Sequence, residues 1–292
     1  MLNLKTCAIA VQLLAFCATW PLKASTAYAY SEDNVSVTMA NGTLFDHQVS
    51  HASNIASFSG FGTSTEAGPT DPAQTYVGPT QNPPPENSFS PFGLVGPGYS
   101  RADTQITGNS TITGMSGLNV AESYITAPGN AADSAFDGFA FGYFPNAAAT
   151  PIVITISAGP DMVVETTGDG SAQATISFTM NIYDHATHAL LLSWSPDGDP
   201  LHDTRLNAGS VSSVADPFSL NDKIACSGNC TDFLLSSMSQ WTLSYKGAPG
   251  QRYDVTVKWE ETTNVAIPEP ASLALTGGAL ILIGLAVRRS RR

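Results

Sequence analysis

The sequence predicts an all-β protein, a sandwich of two facing sheets. Apolar side chains alternate with polar or small ones in run after run between Val35 and Trp259. Gly, Pro and Asp punctuate the runs, and helical periodicity is almost absent. Within the sandwich class the expected arrangement is jelly-roll-like. A long Pro/Gly-rich insertion over 63–100 and an apolar C-terminal segment complete the predicted architecture.

The first strand is read from Val35, Val37 and Met39 against Asn34, Ser36 and Thr38, ended by Asn41-Gly42. Ile55, Phe58 and Phe61 form a less regular apolar set. Eight prolines then fall between Pro69 and Pro97, including Pro83-Pro84-Pro85. Proline lacks a backbone donor, so this stretch reads as a long loop or extended linker rather than a core element. Phe89, Phe92, Leu94 and Tyr99 suggest that parts of it pack onto the body.

Strand patterns crowd together after Thr104. Val120, Tyr124 and Ile125 lie in one; Phe139, Phe141 and Tyr143 alternate with Ala140 and Gly142 in the next. Ile152, Ile154 and Ile156 follow, then Met162 to Thr166 after Gly159-Pro160-Asp161. The longest run pairs Ala174, Ile176, Phe178, Met180 and Ile182 with Thr175, Ser177, Thr179 and Asn181. Thr187 to Trp194 returns after a short polar turn. Trp241, Leu243 and Tyr245 precede a final strand with Tyr253, Val255, Val257 and Trp259 inward and Asp254, Thr256, Lys258 and Glu260 outward.

Both ends carry processing patterns. Met1 to Lys5 is a short basic start, and Cys7 to Trp20 is an apolar core with Gln12 as its only strongly polar side chain. Pro21 breaks the run, and Ala27-Tyr28-Ala29 offers a small-x-small cleavage site before Tyr30. This reads as a secretory signal peptide over 1–29, too short for a permanent span. A lipoprotein reading through Cys17 fails because bulky Phe16 precedes the cysteine. The exported body is then Tyr30 to Ala266. It holds six Lys and Arg against 23 Asp and Glu, a net charge of −17. Such a surface repels nucleic acid and anionic lipid and favours solubility in a crowded extracellular layer.

At the other end, Ile267-Pro268-Glu269-Pro270 is extended, because two prolines remove donors and disfavour helix before them. Ala271 to Val287 carries no charge. Its 17 residues would reach roughly 25 Å as a helix, at the short end for a membrane span. Arg288, Arg289, Arg291 and Arg292 follow at once. By the positive-inside tendency they stay cytoplasmic and place the body on the far side.

Pro-Glu-Pro, an apolar helix and a terminal Arg cluster, in that order, closely resemble the PEP-CTERM sorting signal of exported bacterial proteins. The resemblance covers only the tail. It implies recognition by an exosortase, a membrane-embedded cysteine transpeptidase-like enzyme. Pro268, Glu269 and Pro270 would mark the processing region, and the setting would be a Gram-negative bacterium that builds exopolysaccharide. A plain, uncut single-span anchor is the alternative.

Cys226 and Cys230 are the only cysteines of the body. In an oxidising compartment a pair across Cys-Ser-Gly-Asn-Cys reads as a small loop disulfide. Reduced thiols or a redox-active pair are the alternatives.

No Gly-x-Ser-x-Gly elbow, His-Glu-x-x-His or phosphate-binding glycine loop occurs. His185 and His188 flank a turn and on a hairpin could bind zinc or copper, with His202 as a third ligand; exposed turn residues are the default. Asp46, His47 and His51 would need a helix to hold a metal, and nothing there is helical. Asp197, Asp199 and Asp203 lie in a Pro/Gly-rich turn. Oxygen ligands there suit Ca²⁺, but the spacing departs from an EF-hand and lacks its terminal glutamate, so a plain acidic turn is the default. Tyr99, Tyr143, Trp194 and Trp259 could stack on sugars, although aromatics at alternating strand positions are more often core. The expected protein is therefore a surface or matrix protein without cofactor, structural or adhesive, associated with exopolysaccharide. A surface-displayed glycan-binding module is the second reading and an extracellular hydrolase the third.

Overall fold

The computed structural model describes residues 25–49, 52–67, 73–79, 89–107, 114–145, 151–200, 204–206, 210–248 and 250–269. Among these residues eighteen strands form two nine-stranded antiparallel sheets in a sandwich-like arrangement. The strands are β1 (Thr26–Ala40), β2 (Gly42–Val49), β3 (Ala52–Phe58), β4 (Phe61–Ala67), β5 (Ala73–Val77), β6 (Gly98–Thr107), β7 (Gly114–Ile125), β8 (Gly129–Pro145) and β9 (Ile152–Ala158). They continue as β10 (Asp161–Thr167), β11 (Ser171–Asp184), β12 (Leu190–Ser195), β13 (Thr204–Leu206), β14 (Val211–Ala215), β15 (Asp222–Ser227), β16 (Cys230–Leu235), β17 (Ser239–Tyr245) and β18 (Tyr253–Ile267).

One sheet runs β14-β17-β9-β1-β7-β6-β5, with β10 also on β1 and β16 on β10. The other runs β13-β12-β11-β18-β8-β3-β4, with β15 on β11 and β2 on β8. Long strands organise both sheets. On one side β1 pairs with β7 over most of its length; on the other it meets β10 with its first half and β9 with its second. In the facing sheet β18 pairs along its whole length with β8 and with β11 almost to its end.

Period-two patterning sends alternate residues of each long strand inward. Trp194, Trp241, Trp259, Phe139, Phe178 and Tyr143 are all buried between the sheets. Phe139 meets Trp259 edge to face, with ring centroids 4.8 Å apart, a geometry favoured by the ring quadrupoles. Gly117 makes this fit possible, since a Cβ there would stand 2.5 Å from the Trp259 ring.

Several sequence expectations change on contact with the structure. Strand β1 starts at Thr26, ahead of the Tyr30 boundary, and Ala27 and Ala29 are fully buried in it. At the far end Ile267, assigned to the tail, closes β18 and is buried. The apolar set of Ile55, Phe58 and Phe61 lies on the β3–β4 hairpin, where Phe58 packs against the main core. Ile55 is exposed because Ala52, Asn54 and Ala56 hold the inward positions of β3, and Phe61, at the start of β4, is exposed as well. Within the Pro-rich stretch the short edge strand β5 pairs with β6. Further on, the segment around residues 89–97 covers the outer face of β1, β6 and β7. There Phe89, Phe92 and Tyr76 pack on Tyr28, Tyr30, Tyr99, Val120 and Tyr124 as a second, smaller core. Leu94, by contrast, is exposed. The apolar run 271–287 and the arginines after it lie outside the described residues, and no helix among those described is long and apolar enough to cross a membrane.

Candidate functional site

The two ends of the folded body meet at one pole of the sandwich. Strand β10 ends at Thr167, the corner 168–170 crosses between the sheets, and β11 starts at Ser171. Thr26 is the register partner of Thr167, and Ala266 is the partner of Ser171. One tight corner therefore holds both the first residue of β1 and the end of β18. The Thr26 amide donates to Thr167 Oγ1 at 3.0 Å, and the Asp169 amide donates to Ser25 Oγ at 3.1 Å. Gly168 has a φ of 63°, a left-handed conformation that glycine adopts freely. A Cβ there would also meet Ser25 Oγ at 2.4 Å.

The cysteine loop sits on the same corner. Cys226 and Cys230 are bonded to each other, with Cα atoms 5.5 Å apart. The Gly168 amide donates to Asn229 Oδ1 at 2.8 Å, and the Gly228 amide to the Gly170 carbonyl at 3.0 Å. Strand β15 lies in one sheet and β16 in the other. The disulfide thus clamps the point where the chain changes sheets. Pro268 and Glu269 leave this pole directly from β18 and are exposed. Pro270 and the arginines lie outside the described residues.

Two buried polar clusters stand behind this pole. Outside the first sheet, Arg101 Nη2 lies 3.2 Å from Glu122 Oε2, and both side chains are fully buried. Glu122 also accepts from Tyr28 Oη at 2.8 Å and from the amides of Phe92 at 3.0 Å and Gly93 at 2.9 Å. Arg101 donates to the Ser90 carbonyl, and Tyr30 and Tyr99 donate to the carbonyls of Phe89 and Gly93. The covering loop is thus tied down by charge-assisted bonds. Burial, and next the Glu122 charge, push the Tyr28 and Tyr99 hydroxyls well above the ordinary tyrosine range.

Between the sheets, Asp33, Asp133, Asp137 and Glu261 are buried, and Arg101, on the outer side of its sheet, is the sole buried Lys or Arg among the described residues. Asp133 accepts from Ser100 at 3.1 Å, Ser123 at 2.5 Å and Thr263 at 2.7 Å. Asp33 accepts from the Gly159 amide at 3.1 Å. Both oxygens of Asp137 and of Glu261 lack a well-formed hydrogen bond. Burial raises Asp33 and Asp133 to about 7 and carries Asp137 and Glu261 well above the ordinary carboxylate range. Burial thus favours the neutral acid at all four positions. The alternation that identified the apolar half of β18 continues through Glu261 and Thr263 to Val265 and Ile267, so the inward acids follow from extending that register past Trp259.

The sequence-predicted ligands are dispersed. His185 Nδ1 lies 2.7 Å from Asp254 Oδ1, and His188 Nδ1 lies 3.7 Å from Asp254 Oδ2. The two histidines face one carboxylate at the β11–β12 turn; His202 lies outside the described residues. His47 is on strand β2, not a helix, and His51 is outside the described residues. Asp197 Oδ1 accepts the Asp199 amide at 3.1 Å, closing a local turn, while Asp203 is not described. Among the described residues no group of three or more metal-capable side chains gathers. Tyr99, Tyr143, Trp194 and Trp259 are buried and cannot stack on a sugar from solvent. A shallow groove of about 270 Å³ does open on the second sheet, lined by Phe136, Ser177, Thr179, Lys258 and Glu260, with only the small exposed part of Trp259 at its wall.

No family model matches the sequence, and comparison with curated proteins and with solved structures returned no match. The corner at 167–171 thus stands on its own geometry alone. It gathers the start of the body, its end, the disulfide and the exit of the Pro-Glu-Pro segment in one place.

Proposed function

We propose that this chain is an exported bacterial surface protein, processed by an exosortase through its C-terminal tail, with a structural or adhesive body in an exopolysaccharide-rich layer. The observation that carries it is the tail: Pro268-Glu269-Pro270, an uncharged run to Val287, then four arginines. Exposure of Pro268 and Glu269 directly after β18 supports it, because a protease or transpeptidase needs an extended segment outside the fold. In this reading the span 271–287 holds the protein in the cytoplasmic membrane before processing. The pole at 167–171 faces that membrane, and the cell surface or the matrix is the destination. Within the sandwich class, repeated passage of the chain between the sheets supports a jelly-roll-like wrapping. The body carries no catalytic role, and nucleic acid is not a partner of so acidic a surface.

Glycan binding is the second reading, favoured by the open groove, where an aromatic, Phe136, lies beside hydroxyls and the charged pair of residues Lys258 and Glu260. Deleting the gene and measuring polymer retention and cell cohesion tests the structural role; unchanged cohesion and retention contradict it. Purified exopolysaccharide titrated against the wild-type body and Phe136→Ala tests the second. Saturable binding lost in the variant would favour a lectin over a matrix protein.

A further inference from the structure

We infer that the leader is cut at the Ala24–Ser25 bond, upstream of the small-x-small triplet Ala27-Tyr28-Ala29. The inference rests on the export reading above and assigns the processing site within it. Hydrolysis there adds water across one peptide bond, leaving a carboxylate on Ala24 and a new amine on Ser25.

Residues 25–29 belong to the fold. Ala27 and Ala29 are fully buried between the sheets, and Tyr28 is buried on the other face of the same strand. Thr26 to Ala29 pair on one side with Thr167 to Val164, and Ala27 to Ala29 pair on the other with Ile125 to Ser123. Tyr28 Oη donates to Glu122, the acid that fixes Arg101 and the covering loop. Ser25 caps the corner through Asp169. A cut before Tyr30 would delete the first four residues of a central strand. Facing strands β7 and β10 would be left with unpaired donors and acceptors at the pole, and Glu122 would lose one of its donors.

Ser25, the first of the described residues, already contacts the body through the Asp169 amide. Among the bonds just before it, Ala24–Ser25 alone has a small residue on its leaving side within Pro21-Leu22-Lys23-Ala24, as a leader peptidase requires. Leu22, apolar though larger than alanine, then takes the outer recognition position.

Sequencing the N-terminus of the exported protein, produced from the full chain, tests this. A mature start at Ser25 is expected. A start at Tyr28 or Tyr30 overturns the inference and leaves export intact. A cytoplasmic product that keeps the leader overturns the export reading and the inference with it. Because an altered core residue can prevent folding, a short pulse that reads precursor against mature band supplies a second measurement. Ala24→Phe should hold the chain as precursor, while Ala29→Phe should be processed as in wild type. The reverse pattern would place the cut after Ala29.

Discussion

Asp33, Asp133, Asp137 and Glu261 give the core a pH dependence whose sign follows from burial. Their folded pKa values lie above the unfolded ones, so the stability they contribute is complete below about pH 4 and is lost as pH rises, through about 7 for Asp33 and Asp133. A buried carboxyl held at about 7 against an ordinary 3.8 forfeits up to about 4 kcal/mol by pH 8. The thermal midpoint of the body should therefore fall between pH 5 and pH 8. Asp137→Asn should raise the midpoint at pH 8 and change it little at pH 4; an equal effect at both values would show that Asp137 is not a buried neutral acid. Arg101 and Glu122 make the opposite test. Glu122→Gln leaves Arg101 buried without its counter-charge and should cost about 3–5 kcal/mol, read as a lower urea midpoint at unchanged slope. At this scale the sequence was least legible. Glu261 went unread because the alternation was followed only as far as Glu260. Its inward position is set by the register of β18, with Val265 and Ile267 beyond it.

Strand β1 and the disulfide corner decide which segments the fold needs. Val35, Val37 and Met39 revealed the second half of β1, and the register of that half was legible. The first half was not, because Ala27-Tyr28-Ala29 satisfies the size rule of a cleavage triplet as well as it satisfies a strand with small inward residues. A body of residues 25–267 should be more stable than one of residues 30–266, by about 2–4 kcal/mol for the lost apolar burial and pairing. Equal urea midpoints would show that residues 25–29 lie outside the cooperative unit. Cys226 and Cys230 close a short ring, so Cys226→Ser with Cys230→Ser should cost only roughly 2 kcal/mol. Denaturing, non-reducing thiol labelling of exported protein should find neither cysteine free; two labelled thiols would contradict the bridge. The Pro-rich segment was read as an extended loop, and its packing came through Phe89 and Phe92. The edge strand β5 escaped notice because five residues among prolines carry no clear alternation.

For the whole molecule, period-two patterning made the all-β class legible. The order of strands was not, since antiparallel pairing between distant segments leaves no local mark. Both ends of the body converge on the 167–171 corner, so the tail leaves the pole that also anchors the N-terminus. A protein held by its tail would thus present the opposite pole, with Asn41, His185 and Arg252, away from the membrane. The most direct test of the central claim is the C-terminus of the native protein, mapped by intact mass and C-terminal peptides in cells with and without a working exosortase. The account predicts a product ending near Pro268-Glu269-Pro270, without the run to Val287, in the first strain, and a chain running through Arg292 in the second. An unprocessed tail in both strains, or the same truncated end in both, would contradict exosortase handling.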